Sequence, residues 1–249
     1  MKLIALRELR SLFLSPLAWS VFAVVQFLIA LVFAIRVNLI SQADVQSQLA
    51  EVASSFGITE LIVNHVYSWA ALLLLLVAPL LTMRSFSEER QQKTLALLFA
   101  APIPRYHIVL GKFFALWIFF ILLSLVISLM PLSLLIGGQL DMGQLLSCMM
   151  ALILLMGAFC AIGIYISSLT HSPIIAAMFT FASLLVLWVI DWAGQTAQHN
   201  ILFSYLSMTN HYQPLLQGRI YSDDILYFFF MMIFFLGLTI QRLYAERFH

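Results

Sequence analysis

The chain has 249 residues, of which 63% are hydrophobic and only 9% are charged, and its mean hydropathy is +1.02. Soluble domains are nearer half apolar and a quarter charged. A water-soluble core of this size cannot hide so much apolar surface, so the composition indicates a protein folded in a lipid bilayer. The formal net charge of +1 gives no reason to expect a nucleic-acid partner. The sequence therefore predicts an all-α polytopic integral membrane protein with one transmembrane domain, residues 1–249.

The first predicted element covers residues 1–15, in which apolar and charged side chains recur at near-helical spacing. Arg7, Glu8 and Arg10 are among its polar residues, and leucines supply most of the apolar ones. This pattern is typical of an amphipathic helix that lies in the membrane interface. A basic tail that only sets the topology explains the same charges, and the two interpretations are compatible.

Six uncharged runs follow that are long enough to cross the hydrocarbon core, which takes about 20 helical residues. The first run is longer than the apolar region of a signal peptide, so we expect it to be retained. Ser-Pro pairs precede the first and fifth runs, where they favour a helix start. The predicted spans are 17–37, 65–83, 106–130, 142–169, 173–191 and 223–242, with a cytoplasmic segment at 84–104 and an outer loop at 192–222.

Lysine and arginine are divided unequally between the two sides of the predicted bundle. With six spans both termini share one side, and that side carries all but Arg36 and Arg219 of the 12 basic residues. Loops rich in Lys and Arg remain cytoplasmic. We therefore expect both termini and the 84–104 segment in the cytoplasm, and a multi-pass protein of a bacterial inner membrane.

The segment MRSFSEERQQKTLALLFAAP, residues 83–102, concentrates charge between the second and third runs. Charged residues crowd its first half, apolar residues follow, and Pro102 and Pro104 end the predicted helix. A cytoplasmic helix anchored at both ends by membrane spans is suited to transmit force from a partner protein. A solvated loop with ordinary surface charge explains the same residues.

The longer run TMRSFSEERQQKTLALLFAAPIPRYHIVLGKF, residues 82–113, resembles the signature region of ABC-2 type transporter permeases, in particular the gliding-motility-associated subfamily. The shared features are the acidic–basic cluster, Thr94 with the leucine after it, a proline, and the IVLGK that opens the third span. Lys93 stands where the family often has Gly, and Ala96 where it often has Glu. The segments RELRSLFLSPLAW, AIGIYISSLT and TNHYQPLLQGRI extend the resemblance along nearly the whole chain.

The resemblance implies a permease subunit that pairs with a second permease, as a homodimer or heterodimer, and with two copies of an ABC ATPase subunit. ATP and Mg would bind that partner, and no cofactor is expected on this chain. An accessory periplasmic or membrane protein is a further implied partner. The helix around residues 86–99 would be a coupling helix that enters a groove on the ATPase, with the N-terminal helix as an interfacial elbow beside it. The residues expected to contact the ATPase are Arg84, Phe86, Glu88, Glu89, Arg90, Thr94, Leu95 and Leu98.

Enzyme motifs are missing from the sequence. The dipeptide Gly111-Lys112 lacks the spacing of a phosphate-binding loop, because Tyr106 and Phe113 stand where that motif needs Gly and Ser or Thr. There is also no zinc-protease motif and no serine-hydrolase elbow. We expect the chain to be a transporter subunit rather than an enzyme.

Small residues recur on the fourth predicted span. Gly157 and Ala161 are four residues apart, as are Gly163 and Ser167. This spacing lets helices approach closely and is common in multispan proteins, so it predicts tight helix packing and argues only weakly for the dimer seam.

The outer loop contains three candidate residues, Asn210, His211 and Gly218, in the segment that resembles the family. The six histidines show no ligand spacing, so the sequence favours a hydrogen-bonding role for His211 over metal binding. Asp191, at the outer end of the fifth span, is a candidate functional acid or simply a solvated interfacial one.

Three functions fit these observations. The leading hypothesis is an ABC permease that acts as an exporter. An intramembrane enzyme would need convergent polar groups, but the spans offer mainly Gln26, Ser124, Ser128, Thr180 and Ser183. A scaffold or mechanotransmission subunit of a surface or motility apparatus would use the ATPase without moving cargo. No charged ring lines the spans, which favours a hydrophobic or amphipathic substrate over a small ion.

Overall fold

The computed structural model describes residues 2–41, 58–92, 104–136, 141–196 and 205–245, and the structural statements below refer to these ranges. Within them every regular element is helical. The helices are α1 (Lys2–Leu14), α2 (Pro16–Ser41), α3 (Ile58–Thr82), α4 (Ser87–Gln91), α5 (Arg105–Leu132), α6 (Met142–Leu169), α7 (Pro173–Thr196), α8 (Met208–Leu216) and α9 (Ser222–Ala245), with a short 3-10 helix at Ser133–Ile136 after α5.

Six of these helices, α2, α3, α5, α6, α7 and α9, are long and apolar enough to cross a membrane, which confirms the predicted number of spans. Several extend beyond the predicted bounds, because helical hydrogen bonding continues past the apolar run. Helix α3 begins at Ile58 rather than at residue 65, and α7 continues to Thr196. The predicted outer loop, 192–222, therefore includes the end of α7 and all of α8.

Helix α6 lies at the centre of the bundle, where it contacts α3, α5, α7, α8 and α9. Its small residues allow the neighbouring helices to approach closely. A Cβ atom at Gly157 would lie 2.7 Å from Met232 Sδ of α9, and one at Gly163 would lie 2.6 Å from Thr82 Cβ of α3. Ala161, between them, is fully buried. The small-residue pattern therefore lies at helix contacts within this chain.

We expect the Gly163→Ala substitution to destabilise the protein, because the new methyl group would overlap the root of the Thr82 side chain. Overpacking of this kind costs about 1–3 kcal/mol. Gly237→Ala is the matched control, since nothing lies within 4 Å of its added Cβ. That change should leave stability unaltered or raise it by up to about 1 kcal/mol. Thermal unfolding in detergent measures both, and equal melting temperatures for the two variants would contradict the packing described.

Contacts between helix termini show which ends of the spans lie together. At one end, here called the α1 end, Arg105 at the start of α5 donates a hydrogen bond to the Leu243 carbonyl near the end of α9 and lies 5.0 Å from the centre of the Tyr244 ring. At the opposite end, here called the α8 end, Gln144 at the start of α6 donates to the Leu216 carbonyl of α8. The spans thus alternate in direction, as six consecutive crossings require.

Helix α8 is packed into the α8 end of the bundle, where the sequence predicted only a loop. Its N-terminus is capped by Ser207, whose Oγ accepts a hydrogen bond from the Asn210 amide. The Tyr212 hydroxyl donates to the Tyr67 carbonyl of α3 at 3.0 Å, and Ser147 of α6 donates to the Leu215 carbonyl at 2.6 Å. Apolar residues of the predicted loop are therefore part of the core.

Candidate functional site

The charged segment that follows α3 begins with a turn at residues 83–86 and continues as α4. Two backbone hydrogen bonds, from Arg90 to Phe86 and from Gln92 to Glu88, define this short helix. Glu88 and Glu89 lie in its first turn and Arg90 lies in its last, an order that complements the helix dipole. Of the residues predicted to contact an ATPase, Thr94, Leu95 and Leu98 lie outside the described residues.

Ser167, near the end of α6, holds the turn that leads into α4. Its Oγ accepts hydrogen bonds from the Phe86 amide at 3.0 Å and the Ser87 amide at 3.1 Å, and donates one to the Met83 carbonyl at 2.9 Å. The side chain is fully buried. Ser167 therefore joins α4 to the central helix by hydrogen bonding, in addition to the close packing that its small size permits.

We expect Ser167→Ala to loosen this turn, because it leaves two buried amides without an acceptor, at a cost of about 1–3 kcal/mol. Hydrogen exchange of residues 83–92 should accelerate by about tenfold or more. Ser168→Ala is the control, since Ser168 donates only to Tyr165 within its own helix. Unchanged exchange in the Ser167 variant would show that other contacts hold the turn.

Lys112, in the second turn of α5, connects three elements by charge. Its ammonium lies 2.6 Å from Glu89 Oε1 of α4 and 3.1 Å from Glu8 Oε1 of α1, and 5.2 Å from the centre of the Phe86 ring. Only 4% of the residue is exposed. A buried cation with two carboxylate partners resists separation, because parting it from them would leave uncompensated charges. Lys112 is thus the joint between the N-terminal helix, the charged segment and a membrane span.

Helix α1 packs along α5. A Cβ atom at Gly111 would lie 2.9 Å from Ile4 Cγ2, so the absence of a side chain there permits the close approach. Farther along, the Phe13 and Phe119 rings pack with their centroids 5.5 Å apart. Arg7 and Arg10 remain exposed on the other side of the helix. The predicted amphipathic helix is therefore attached to a span by its apolar face.

The structure separates residues to which the sequence assigned one role. Phe86 was predicted to contact a partner, but its ring is fully buried beneath Lys112 and anchors α4 instead. Glu89 faces inward to Lys112, while Glu88 is partly exposed and accepts only a long hydrogen bond from Gln92. Arg84 is exposed. Contact of these residues with an ATPase stays a prediction.

The candidate residues at the α8 end form a separate group. His211 Nδ1 lies 2.7 Å from Asp224 Oδ1, and its ring stacks on Tyr227 with centroids 4.2 Å apart. Gly218 has φ +77, a conformation that favours glycine, in the turn between α8 and α9. The His211–Asp224 contact ties α8 to the start of α9. Among the described residues no group of three or more potential metal-ligating side chains occurs.

Sequence reasoning missed the structural role of two residues, Lys112 and Tyr212, that make long-range contacts. Lys112 was considered as a cytoplasmic charge, as part of the IVLGK resemblance and as a rejected phosphate-loop lysine, and Tyr212 was not singled out. The signal for Lys112 was its place inside an otherwise apolar helix, where a lysine needs an acidic partner. Nothing local marks Tyr212, because its partner Tyr67 is 145 residues away.

The arrangement places a charged turn, a buried ion-pair joint and the N-terminal helix α1 at one end of a six-span bundle. A family model described as ABC-2 family transporter protein matches residues 3–243, a range that includes all six spans and the whole candidate site. A search of curated proteins found no match. ABC-2 permeases are membrane components of transporters rather than catalytic enzymes, and they pair with an ABC ATPase subunit. The chain belongs to the ABC-2 family of transporter proteins and is a permease subunit of this class.

Proposed function

We propose that this permease is the membrane-spanning half of an exporter in a bacterial inner membrane, driven by ATP hydrolysis on two copies of a separate ATPase subunit. The observation that carries the proposal is the joint at Lys112, which connects the charged α4 to α1 and α5. In this proposal the α1 end is cytoplasmic, as the excess of Lys and Arg on that side indicates. The ATPase docks there against α4 and the residues that follow it.

The contacts of α4 suggest how a push from the ATPase reaches the spans. Movement of α4 acts on α5 and α1 through Glu89, Lys112 and Glu8, and on α6 through Ser167. Because α6 contacts α3, α5, α7 and α9, a shift at its end is shared by most of the bundle. A packed core of this kind moves between discrete arrangements, which here are inward and outward access.

A second permease subunit completes the translocation path in this proposal. Helices α2 and α7 carry large apolar side chains on exposed faces, among them Phe27, Ile174, Met178 and Phe179. In a membrane such faces contact lipid or another subunit. The path itself would lie between the two permeases, so its lining is shared between them.

The test is purification of the chain from its native membrane in a mild detergent, with identification of the bound proteins and an ATPase assay. We expect a stoichiometric partner that carries nucleotide-binding motifs and hydrolyses ATP. A clean preparation without such a partner in several detergents would contradict the proposal. A substrate-dependent flux assay with the purified complex then separates an exporter from an ATPase-driven scaffold, because a scaffold moves no cargo.

A further inference from the structure

A cleft of about 320 Å³ opens at the α1 end between α1, the α3–α4 turn and α5. Both charged and apolar residues line it. The apolar lining includes Leu12, Leu17, Leu80, Leu81 and Leu116. The charged residues that line it are Arg7, Glu8, Arg84, Glu88, Glu89 and Lys112.

A second cavity, of about 250 Å³, lies farther along α5 and is lined by aliphatic and aromatic side chains, including Trp19 and Phe22 of α2. Ala18 lines both cavities, so they adjoin. On α5 their lining residues follow one helical stripe from Lys112 to Val126, which is roughly 21 Å long at 1.5 Å per residue. One leaflet contributes about half of the ~30 Å hydrocarbon core. The two cavities together therefore extend over the depth of a single leaflet.

The charged residues that line the cleft are balanced in number, three basic and three acidic. Lys112 is already held by Glu8 and Glu89. Arg7 on α1 and Arg84 after α3 are exposed, and within the described residues neither forms an ion pair. Glu88 is the remaining acid, engaged only by the long hydrogen bond from Gln92. The rim thus offers two arginines and one carboxylate to a ligand that carries both signs of charge.

We infer that the cleft and the adjoining cavity bind one phospholipid with a zwitterionic, primary-ammonium headgroup, phosphatidylethanolamine. Arg7 and Arg84 receive the phosphate, since guanidinium groups form strong charge-assisted hydrogen bonds to phosphate oxygens. Glu88 receives the ammonium, and an acyl chain lies in the apolar cavity beside Trp19. The lipid then bridges α1 and the α3–α4 turn beside α5.

The inference is tested on the permease alone, purified and delipidated, by native mass spectrometry during titration with phosphatidylethanolamine or phosphatidylglycerol of the same acyl chains. We expect one phosphatidylethanolamine per chain. The double variant Arg7→Gln/Arg84→Gln should bind it at least about tenfold more weakly, since two charge-assisted hydrogen bonds are lost. Arg10→Gln/Arg90→Gln removes the same net charge from α1 and α4 at positions that do not line the cleft, and should bind as the wild type does.

A second measurement uses the unaltered protein. Phosphatidylethanolamine with brominated acyl chains should quench the emission of Trp19, and Trp19→Phe should remove that part of the quenching. Absence of Trp19 quenching, equal binding by the two double variants, or equal affinity for phosphatidylglycerol would overturn the inference. So would a loss of ATPase co-purification in the Arg7/Arg84 variant with lipid binding unchanged, because the cleft would then serve a protein partner. Failure to find any ATPase would leave the lipid result standing.

Discussion

The Lys112→Met substitution is expected to destabilise the permease by about 3 kcal/mol and to detach α4 from α5. Removal of one partner of a buried ion pair typically costs about 3–5 kcal/mol, because the remaining charge is left uncompensated. The lower value applies here, since the Glu8 and Glu89 side chains are 34% and 25% exposed and water reaches them. Thermal unfolding in detergent should show a clearly lower melting temperature, and hydrogen exchange should increase in both α1 and α4.

A compensated variant separates charge imbalance from the loss of a mechanical link. In Lys112→Met with Glu8→Gln and Glu89→Gln, no buried charge is left unpaired, so most of the lost stability should return. The ion-pair link between α4 and α5 is still absent. We expect this variant still to bind the ATPase partner but to lose transport driven by ATP hydrolysis. A Lys112→Met protein as stable as the wild type would show that the joint is unimportant for folding.

Much of the membrane fold was predictable because bilayer thickness imposes a length on every span. Runs of about 20 apolar residues mark the spans without any knowledge of their neighbours. The helices extend past those runs wherever tertiary contacts support them. Arg36, near the end of α2, lies within hydrogen-bonding distance of the His65 ring of α3, and this contact joins the polar ends of two helices. Such pairings depend on which helices are adjacent, which hydropathy does not report.

Helix α8 shows more clearly that hydropathy does not report which helices contact one another. Its sequence, MTNHYQPLL, mixes polar and apolar residues and contains Pro214, so it predicts a surface loop. In the fold Met208, Tyr212, Leu215 and Leu216 are nearly inaccessible. Desolvation raises the pKa of the Tyr212 phenol well above its usual value, so the hydroxyl remains a neutral donor to Tyr67. The apolar residues were visible in the sequence, but the bundle surface that buries them was not.

The candidate site was predictable in location but only partly in the roles of its residues. Residues 84–90 have a much higher density of charged side chains than the rest of this chain, and this density drew attention to the segment. A helix as short as α4 presents charges both inward and outward, and only Lys112, from another helix, distinguishes Glu89 from Glu88. Ser167 was selected for its small size, whereas its hydroxyl is what holds the turn. Residue type located these positions, and three-dimensional neighbours define their chemistry.

The Tyr212→Ala substitution is expected to detach α8 from the bundle. The Tyr212 side chain is 1% exposed, and replacing a buried aromatic residue by alanine costs about 3–5 kcal/mol through lost burial and the cavity that remains. Cys148 of α6 reports the movement, because it is fully buried and its thiol donates to the Leu216 carbonyl at the end of α8. In a Cys160→Ala background, maleimide labelling of Cys148 should therefore rise strongly in the variant, together with a lower melting temperature.

Two controls separate burial of the ring from its hydrogen bond. Tyr212→Phe keeps the ring and removes only the hydroxyl that donates to Tyr67, so it should cost about 1 kcal/mol and leave Cys148 protected. Tyr205→Ala removes an exposed tyrosine just before α8 and should have little effect on either measurement. If Cys148 stayed unreactive in Tyr212→Ala, α8 would be held mainly by the hydrogen bonds from Ser147 and Gln144 to its last carbonyls rather than by the tyrosine ring.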